Sequence, residues 1–72
     1  MMHVSKRFST MIDAQTALQA CLQEMHVEEA GCCPAKDAYG KQTGEYAAWV
    51  SVWDESDMRK AIDIMTAHGA LP

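Results

Sequence analysis

The stretch Glu45–His68 reads EYAAWVSVWDESDMRKAIDIMTAH and predicts a β-strand that runs directly into an α-helix. In the strand, predicted over Glu45–Trp53, successive side chains point to opposite faces of a sheet. Trp49 and Trp53 lie on one face of the strand. The other face carries Tyr46, Ala48, Val50 and Val52. The strand therefore has one face suited to a hydrophobic core and one face with two large aromatic rings.

The helix after this strand has clear start and stop signals. Asp54 is suited to the N-cap, and Glu55 and Asp57 place negative charge near the positive end of the helix dipole. Gly69 ends the helix, and Pro72 prevents it from restarting. Apolar residues recur at helical spacing and predict its buried face: Met58, Ala61, Ile62 and Met65.

The first part of the chain predicts a second strand–helix unit. Residues Met2–Phe8 alternate loosely, as is typical of a short edge strand. The next helix is capped by Asp13, or by Thr10 with Asp13 three residues later. Its predicted buried face is apolar throughout: Ala14, Ala17, Leu18, Cys21, Leu22 and Met25.

The middle of the chain predicts one further strand and a turn. A short strand lies within His26–Cys33 and is expected to end at Pro34, and Gly40–Gly44 is expected to form a hairpin connection. This turn lacks the Gly-Lys-Ser/Thr ending of a phosphate-binding loop. The predicted order is βαββα in one α+β domain over residues 1–72. The expected architecture is half of a ferredoxin-like fold, with two helices on one face of an open antiparallel sheet of about three strands.

Composition limits the classes of function. The chain has 72 residues, a net charge of −4 and six scattered basic residues, so direct nucleic-acid binding is disfavoured. Its apolar runs are too short to span a membrane. Three cysteines and no signal-peptide segment predict reduced thiols in a bacterial cytosol, or in a host cytosol for a phage protein. A domain this small is often stabilised by oligomerisation, so we expect a homodimer.

The segment Cys32-Cys33-Pro34 is the most unusual local sequence. With His26 or His68 it could hold a soft metal, but zinc sites space paired cysteines two to four residues apart. Neighbouring residues of a strand also point to opposite faces. We therefore expect one buried thiol and one in a turn, with no metal, no cofactor and no catalytic residue. Metal handling or nucleophilic catalysis through these thiols is a minor alternative.

The uncovered sheet face and two acidic groups are the candidate binding features. Two tryptophans on a bare sheet face would form an interface, unless the faces are reversed and both rings lie in the core. The acidic groups are Glu24, Glu28 and Glu29, then Asp54, Glu55 and Asp57, and each is either a solvated helix end or a docking patch for a basic partner. The predicted partner-binding residues are Trp49, Trp53, Glu28, Glu29, Asp54 and Asp57.

The segments MIDAQTALQACLQEM (11–25) and AAWVSVWDESDMRKAIDIMTAHGA (47–70) resemble a small bacterial family described as prokaryotic signal-transducing proteins. The resemblance covers nearly the whole chain and implies the α+β fold and regulation through protein contacts rather than catalysis. The matching positions are Asp13, Leu18, Leu22, Val50, Val52, Asp54, Glu55, Asp57, Ala61 and Ile62. Cys32-Cys33-Pro34 and both tryptophans lie outside the family pattern.

Two functional hypotheses follow from these features. The first is a non-enzymatic regulatory interaction module, a homodimer that acts through the sheet face around Trp49 and Trp53. The alternative is a phage-encoded inhibitor of a host defence complex, of the anti-CRISPR type, whose acidic groups cover a basic surface.

Overall fold

The computed structural model describes all residues from Met1 to Pro72. It confirms the βαββα order, with the elements β1 Met2–Phe8, α1 Met11–Glu24, β2 Glu29–Lys36, β3 Gln42–Val52 and α2 Glu55–Ala67. The three strands form an open sheet in the order β1-β3-β2, and both neighbours of β3 are antiparallel to it. β1 and β2 are therefore parallel to each other with β3 between them, as in the split βαβ unit of ferredoxin-like folds.

The hydrophobic core lies between one face of the sheet and both helices. Cross-strand partners share a face, so the register of Val4 with Val50 and of Phe8 with Tyr46 aligns the core side of β1 with that of β3. One cluster of buried residues joins the sheet to the helices: Val4, Phe8, Ala14, Ala17, Leu18, Cys21, Ala48, Val50, Val52, Ala61 and Met65. Both helices therefore cover the aliphatic face of β3. α1 packs mainly on β3 and β2, and α2 packs against α1 and on β1.

Thr10 is the N-cap of helix α1, and its hydroxyl accepts a hydrogen bond from the backbone N–H of Asp13 at 3.1 Å. Of the two predicted caps, Thr10 is therefore correct, and Asp13 occupies the first turn. The predicted burial of Leu22 is wrong, because 47% of this residue is exposed. Leu22 lies on the flank of α1 above β2, and the sheet has no strand beyond β2 to cover it. Met25 follows the helix and is partly buried against the core.

Strand β2 is longer than predicted. It continues through Pro34 to Lys36, so the expected end at Pro34 is wrong. β2 is an edge strand that pairs with β3 alone. Proline is tolerated at an edge when its missing N–H would have faced solvent.

The hairpin between β2 and β3 is confirmed, but it lies earlier than the predicted Gly40–Gly44. The turn spans residues 37–41, where the Asp37 carboxylate accepts hydrogen bonds from the backbone N–H groups of Tyr39 and Lys41. Gly40 has φ +80 within the turn. Gly44 belongs to β3 and has φ +85, beside a register shift between Pro34 and Lys36. Glycine adopts this left-handed conformation without steric cost, which accommodates the extra residues of β3.

Helix α2 begins after Asp54, as predicted, although the Asp54 side chain makes no capping hydrogen bond. Its other end is the predicted glycine stop. Gly69 has φ +94, its N–H bonds the carbonyl of Thr66, and the N–H of Ala70 bonds the carbonyl of Met65 at 3.0 Å. These two hydrogen bonds together form a Schellman motif. The chain then turns towards β1, where the N–H of Leu71 donates to the carbonyl of Arg7 at 2.7 Å.

Candidate interaction surface

The face of the sheet opposite the helices is uncovered, and we call it the open face. The strand register divides it into three rows of neighbouring residues across β1, β3 and β2. The rows are His3–Ser51–Glu29, Ser5–Trp49–Gly31 and Arg7–Ala47–Cys33. Trp53 follows β3 at the end of the sheet that carries the first row, and it continues the alternation of Trp49 and Ser51.

Trp49 lies directly over the backbone of β2. A Cβ atom placed on Gly31 would be 2.9 Å from Cζ2 of the Trp49 ring and 3.0 Å from its Cε2 and Nε1. Real side chains do not approach this closely, so glycine is required for the ring to rest there. Trp49 is half-buried as a result. It is a rigid aromatic platform on the open face, and the alternative that placed it in the core is wrong.

Trp53 is the exposed aromatic residue of this surface, with 59% of its area accessible. The Trp53 indole and then the His26 ring lower the pKa of the Glu28 carboxyl by stabilising its charged form. His26 Nε2 is 2.9 Å from Glu28 Oε1. The backbone N–H of Glu28 also donates to the Ser51 carbonyl at 2.9 Å. An exposed indole, a carboxylate and an imidazole therefore meet at one corner of the sheet, which we call the Trp53 corner.

The structure brings most of the predicted acidic residues to this corner, but not all. Glu29 is exposed in β2 and opposite Ser51, one residue from Glu28. Asp54 is exposed and directly follows Trp53. Asp57 is in the first turn of α2, and no ion pair or side-chain hydrogen bond joins it to the corner. Asp57 is therefore the predicted site residue with the least structural connection to the others.

Sequence patterns missed a hydroxyl–imidazole pair on the open face. Ser51 Oγ and His3 Nδ1 are 2.6 Å apart. Such a pair can act as nucleophile and base when a carboxylate binds the second nitrogen of the imidazole. Here Ser51 is 0% exposed. The carboxylate in the same row of the sheet belongs to Glu29, which lies next to Ser51 and not next to His3. The pair satisfies a buried hydroxyl and ties β1 to β3. Alternation places both residues on one face, but only the strand register makes them neighbours.

The three thiols are separated by the fold. Cys21 is buried in the core, and burial raises the pKa of its thiol. Cys32 is half-buried on the helix side, with Sγ 3.7 Å from Sδ of Met11, whereas Cys33 is exposed on the open face. The expectation that one thiol lies in a turn is wrong, because both belong to β2. No three His, Cys, Asp or Glu side chains are grouped as a metal site would require.

The end of the open face nearest the hairpin has the opposite charge character. Arg7 and Lys36 flank a depression that also contains the exposed Cys33. Arg7 Nη1 is 3.1 Å from Glu45 Oε1, so part of its charge is balanced within the chain. The open face is therefore polarised, with carboxylates and an exposed tryptophan at one end and basic groups at the other.

No protein-family model, curated protein or solved structure gives a significant match to this chain. The resemblance to the bacterial signal-transducing family therefore stays a prediction. Neither helix is long and apolar enough to cross a membrane.

Proposed function

We propose that this protein is a non-catalytic regulatory module of the cytosol that binds a protein partner through its open face. The observation that supports this function best is Trp53, which is 59% exposed at the corner where Glu28 carries a stabilised negative charge. A large apolar ring with an adjacent charge, on a sheet face that no helix covers, is typical of a binding surface.

The two tryptophans have different parts in this proposal. Trp49 is already held against Gly31, so it presents a fixed surface and loses little conformational freedom on binding. Trp53 has most of its ring in solvent, so a partner gains free energy by burying it. Tryptophan is among the residues that dominate binding energy when they lie at the centre of an interface. We expect Trp53 to be the energetic centre and Trp49 to be part of the surrounding surface.

The charge of the Trp53 corner indicates the chemistry of the partner. Glu28 is linked to the exposed Trp53 indole, Glu29 follows Glu28 and Asp54 follows Trp53 in the chain, and the net charge is −4. An arginine of a partner could stack on the indole while its guanidinium pairs with a carboxylate. Opposite net charges would also accelerate association at low salt. We therefore expect a partner with an arginine-rich or lysine-rich surface.

Affinity capture from bacterial lysate tests this function. Wild-type protein should retain a specific partner, and Trp53→Ala should reduce retention by at least 10-fold, as expected for loss of a central tryptophan. Tyr39→Ala is the matched control, because Tyr39 is 90% exposed in the hairpin turn, away from the Trp53 corner. Equal losses from both variants, or no loss from Trp53→Ala, would contradict the proposal.

The acidic corner also supports a second candidate, an inhibitor of a host defence complex that covers a basic nucleic-acid channel. Carboxylates set around an exposed ring could occupy sites that otherwise hold phosphates and bases. Purified defence complexes can be tested for loss of nucleic-acid binding when this protein is added. Glu28→Lys/Glu29→Lys should abolish the inhibition, and Asp63→Lys, on the exposed side of α2, should not. Inhibition that survives the reversal at Glu28 and Glu29 would exclude this mode of action.

A further inference from the structure

The two edges of the sheet differ in whether their outward backbone N–H and C=O groups have hydrogen-bond partners. At the outer edge of β1, the carbonyl of Arg7 accepts a hydrogen bond from Leu71 at 2.7 Å. In a βαββαβ arrangement a fourth strand lies at this same edge. The outer edge of β2 has no such neighbour, since β2 pairs with β3 alone. An uncovered edge strand is a template for pairing with another chain.

The hydrogen bonds of the sheet show which groups of β2 face outward. The Ser51 carbonyl accepts from the Glu28 N–H on the β2 side, so the backbone of Ser51 points towards β2. Glu29, the register partner of Ser51, therefore points towards β3. Because successive residues alternate, the outward positions are Ala30, Cys32 and Pro34. These positions offer two N–H groups and three carbonyls, since proline has no N–H.

A groove runs beside this edge, between α1 and β2, and its lining combines five apolar residues with Gln15, Thr16 and Gln19. Ile12 is 73% exposed and Leu22 is 47% exposed along its helical wall. Cys32 is part of its floor. Apolar side chains next to unpaired backbone groups form a surface that a second sheet edge with its own helix would cover.

We propose that a second copy of this chain occupies this edge, with the two β2 strands antiparallel about a twofold axis at Cys32. The two three-stranded sheets then form one continuous sheet of six strands, and both α1 helices lie side by side on the same face of it. The open face stays accessible in this dimer. The proposal therefore goes beyond the interaction function above and does not rest on it.

The sequence of β2 is self-complementary in this register. Each Cys32 exchanges two backbone hydrogen bonds with its copy, and each Ala30 N–H donates to the carbonyl of Pro34 in the other copy. Pro34 has no N–H, so only the reciprocal hydrogen bond, from Pro34 to the carbonyl of Ala30, is missing. Glu28 then lies opposite Lys36 at both ends of the interface, which pairs opposite charges twice. A shift by one residue pair would instead place Glu29 opposite Asp37, with like charges.

Sedimentation equilibrium of wild type and two proline variants tests the edge. Ala30→Pro removes an N–H that only a second copy uses, so it should raise the dimer Kd by about 10-fold or more. Ser5→Pro makes the same change at the outer edge of β1, and it should leave the dimer Kd unchanged. Tryptophan fluorescence verifies that each variant is folded. A wild-type chain that is monomeric at about 100 µM would overturn the proposal.

A charge-reversal series keeps the test decisive if Ala30→Pro does not fold. Lys36→Glu should weaken the dimer, and Glu28→Lys/Lys36→Glu should restore it, because the pair is then reversed rather than lost. A dimer insensitive to this series and to Ala30→Pro would contradict the register.

Oxidation with diamide provides an independent readout of the axis. Opposing residues of a hydrogen-bonded antiparallel pair have Cα atoms about 5.5 Å apart, within reach of a disulfide. We expect a covalent dimer that Cys32→Ser prevents and that Cys33→Ser permits, whereas the reverse result would contradict the twofold axis at Cys32. Trp53→Ala should leave the dimer intact, so a loss of dimer in that variant would assign self-association to the open face instead.

Discussion

The two faces of β3 differ although they belong to the same eleven-residue strand. The helix side presents Ala48, Val50 and Val52, which are 0% exposed beneath α1 and α2. The open side presents Trp49, partly sheltered by its contact with Gly31, and ends at the exposed Trp53. Both tryptophans are therefore outside the core, whereas the helix side holds the aliphatic residues together with the partly buried Tyr46.

This difference indicates what each face is for. Small aliphatic side chains allow the helices to approach the sheet closely, and their packing supplies most of the free energy of folding. The open face contributes less to folding because much of its apolar surface remains in contact with water. Mutations on the helix side should therefore affect stability, and mutations at the Trp53 corner should affect binding.

Phe8→Ala should have the largest effect on stability. Phe8 is 0% exposed in the core cluster, and truncation of a buried phenylalanine costs about 3–5 kcal/mol. A small domain with a total stability near 5 kcal/mol would be largely unfolded by this change. Urea denaturation followed by circular dichroism measures the loss. A loss below about 1 kcal/mol would show that the helix side does not hold the main core.

Gly31→Ala tests the one place where the open face is tightly packed. The new methyl group would meet the Trp49 ring at 2.9 Å, and overpacking of this kind costs about 1–3 kcal/mol. The same substitution in a Trp49→Ala background should cost much less, because the ring is absent. The two costs can be compared in a double-mutant cycle of urea denaturation. Equal costs in both backgrounds would contradict the ring placement.

Trp53→Ala should change the free energy of unfolding by no more than about 0.5 kcal/mol, as is usual for an exposed position. The same variant should lose partner binding, which separates the two faces by function. The free energy of unfolding from urea titrations is the measurement. A destabilisation of about 2 kcal/mol or more would show that Trp53 belongs to the core of the domain.

The smallest expected effect is the pH dependence contributed by Glu28. Its folded pKa is lowered from the ordinary value of 4.5, first by the Trp53 indole and then by His26. The charged form therefore stabilises the fold above the pKa of the unfolded chain, and this contribution is lost as pH falls through the lower, folded pKa. Glu28→Gln should flatten the stability profile in that acidic range, because it slightly lowers the stability at neutral pH and leaves the stability below the folded pKa unchanged. NMR titration of the Glu28 side chain gives the pKa directly, and an unshifted value would contradict the contact.

The fold was largely predictable from the sequence because its signals are local. Alternation in β3, the Thr10 cap and the Gly69 stop all act within a few residues. The errors occurred where distant parts of the chain decide the outcome. Pro34 was expected to end a strand, but its position at the sheet edge lets β2 continue. Leu22 follows the helical period but lies above that same edge, where nothing covers it.

The candidate surface was predictable only in part. Alternation assigned Trp49 and Trp53 to one face, and the acidic groups were visible as runs of residues. The contact of Glu28 with Trp53 and the bond between His3 and Ser51 depend on strand register. The placement of Trp49 over Gly31 also depends on it, because the two residues are eighteen positions apart. The sequence alone does not give the strand register, so these pairs could not be predicted from it.

The most direct test of the account is the accessibility of Trp53 in the free protein and in a complex with its captured partner. A Trp49→Phe variant leaves Trp53 as the only tryptophan, and acrylamide quenching of its fluorescence then reports on this one ring. We expect strong quenching in the free protein, in line with its 59% exposure, and a several-fold weaker quenching in a complex with a tryptophan-free partner fragment. Quenching that is equally strong in the complex would contradict the assignment of the open face as the binding surface.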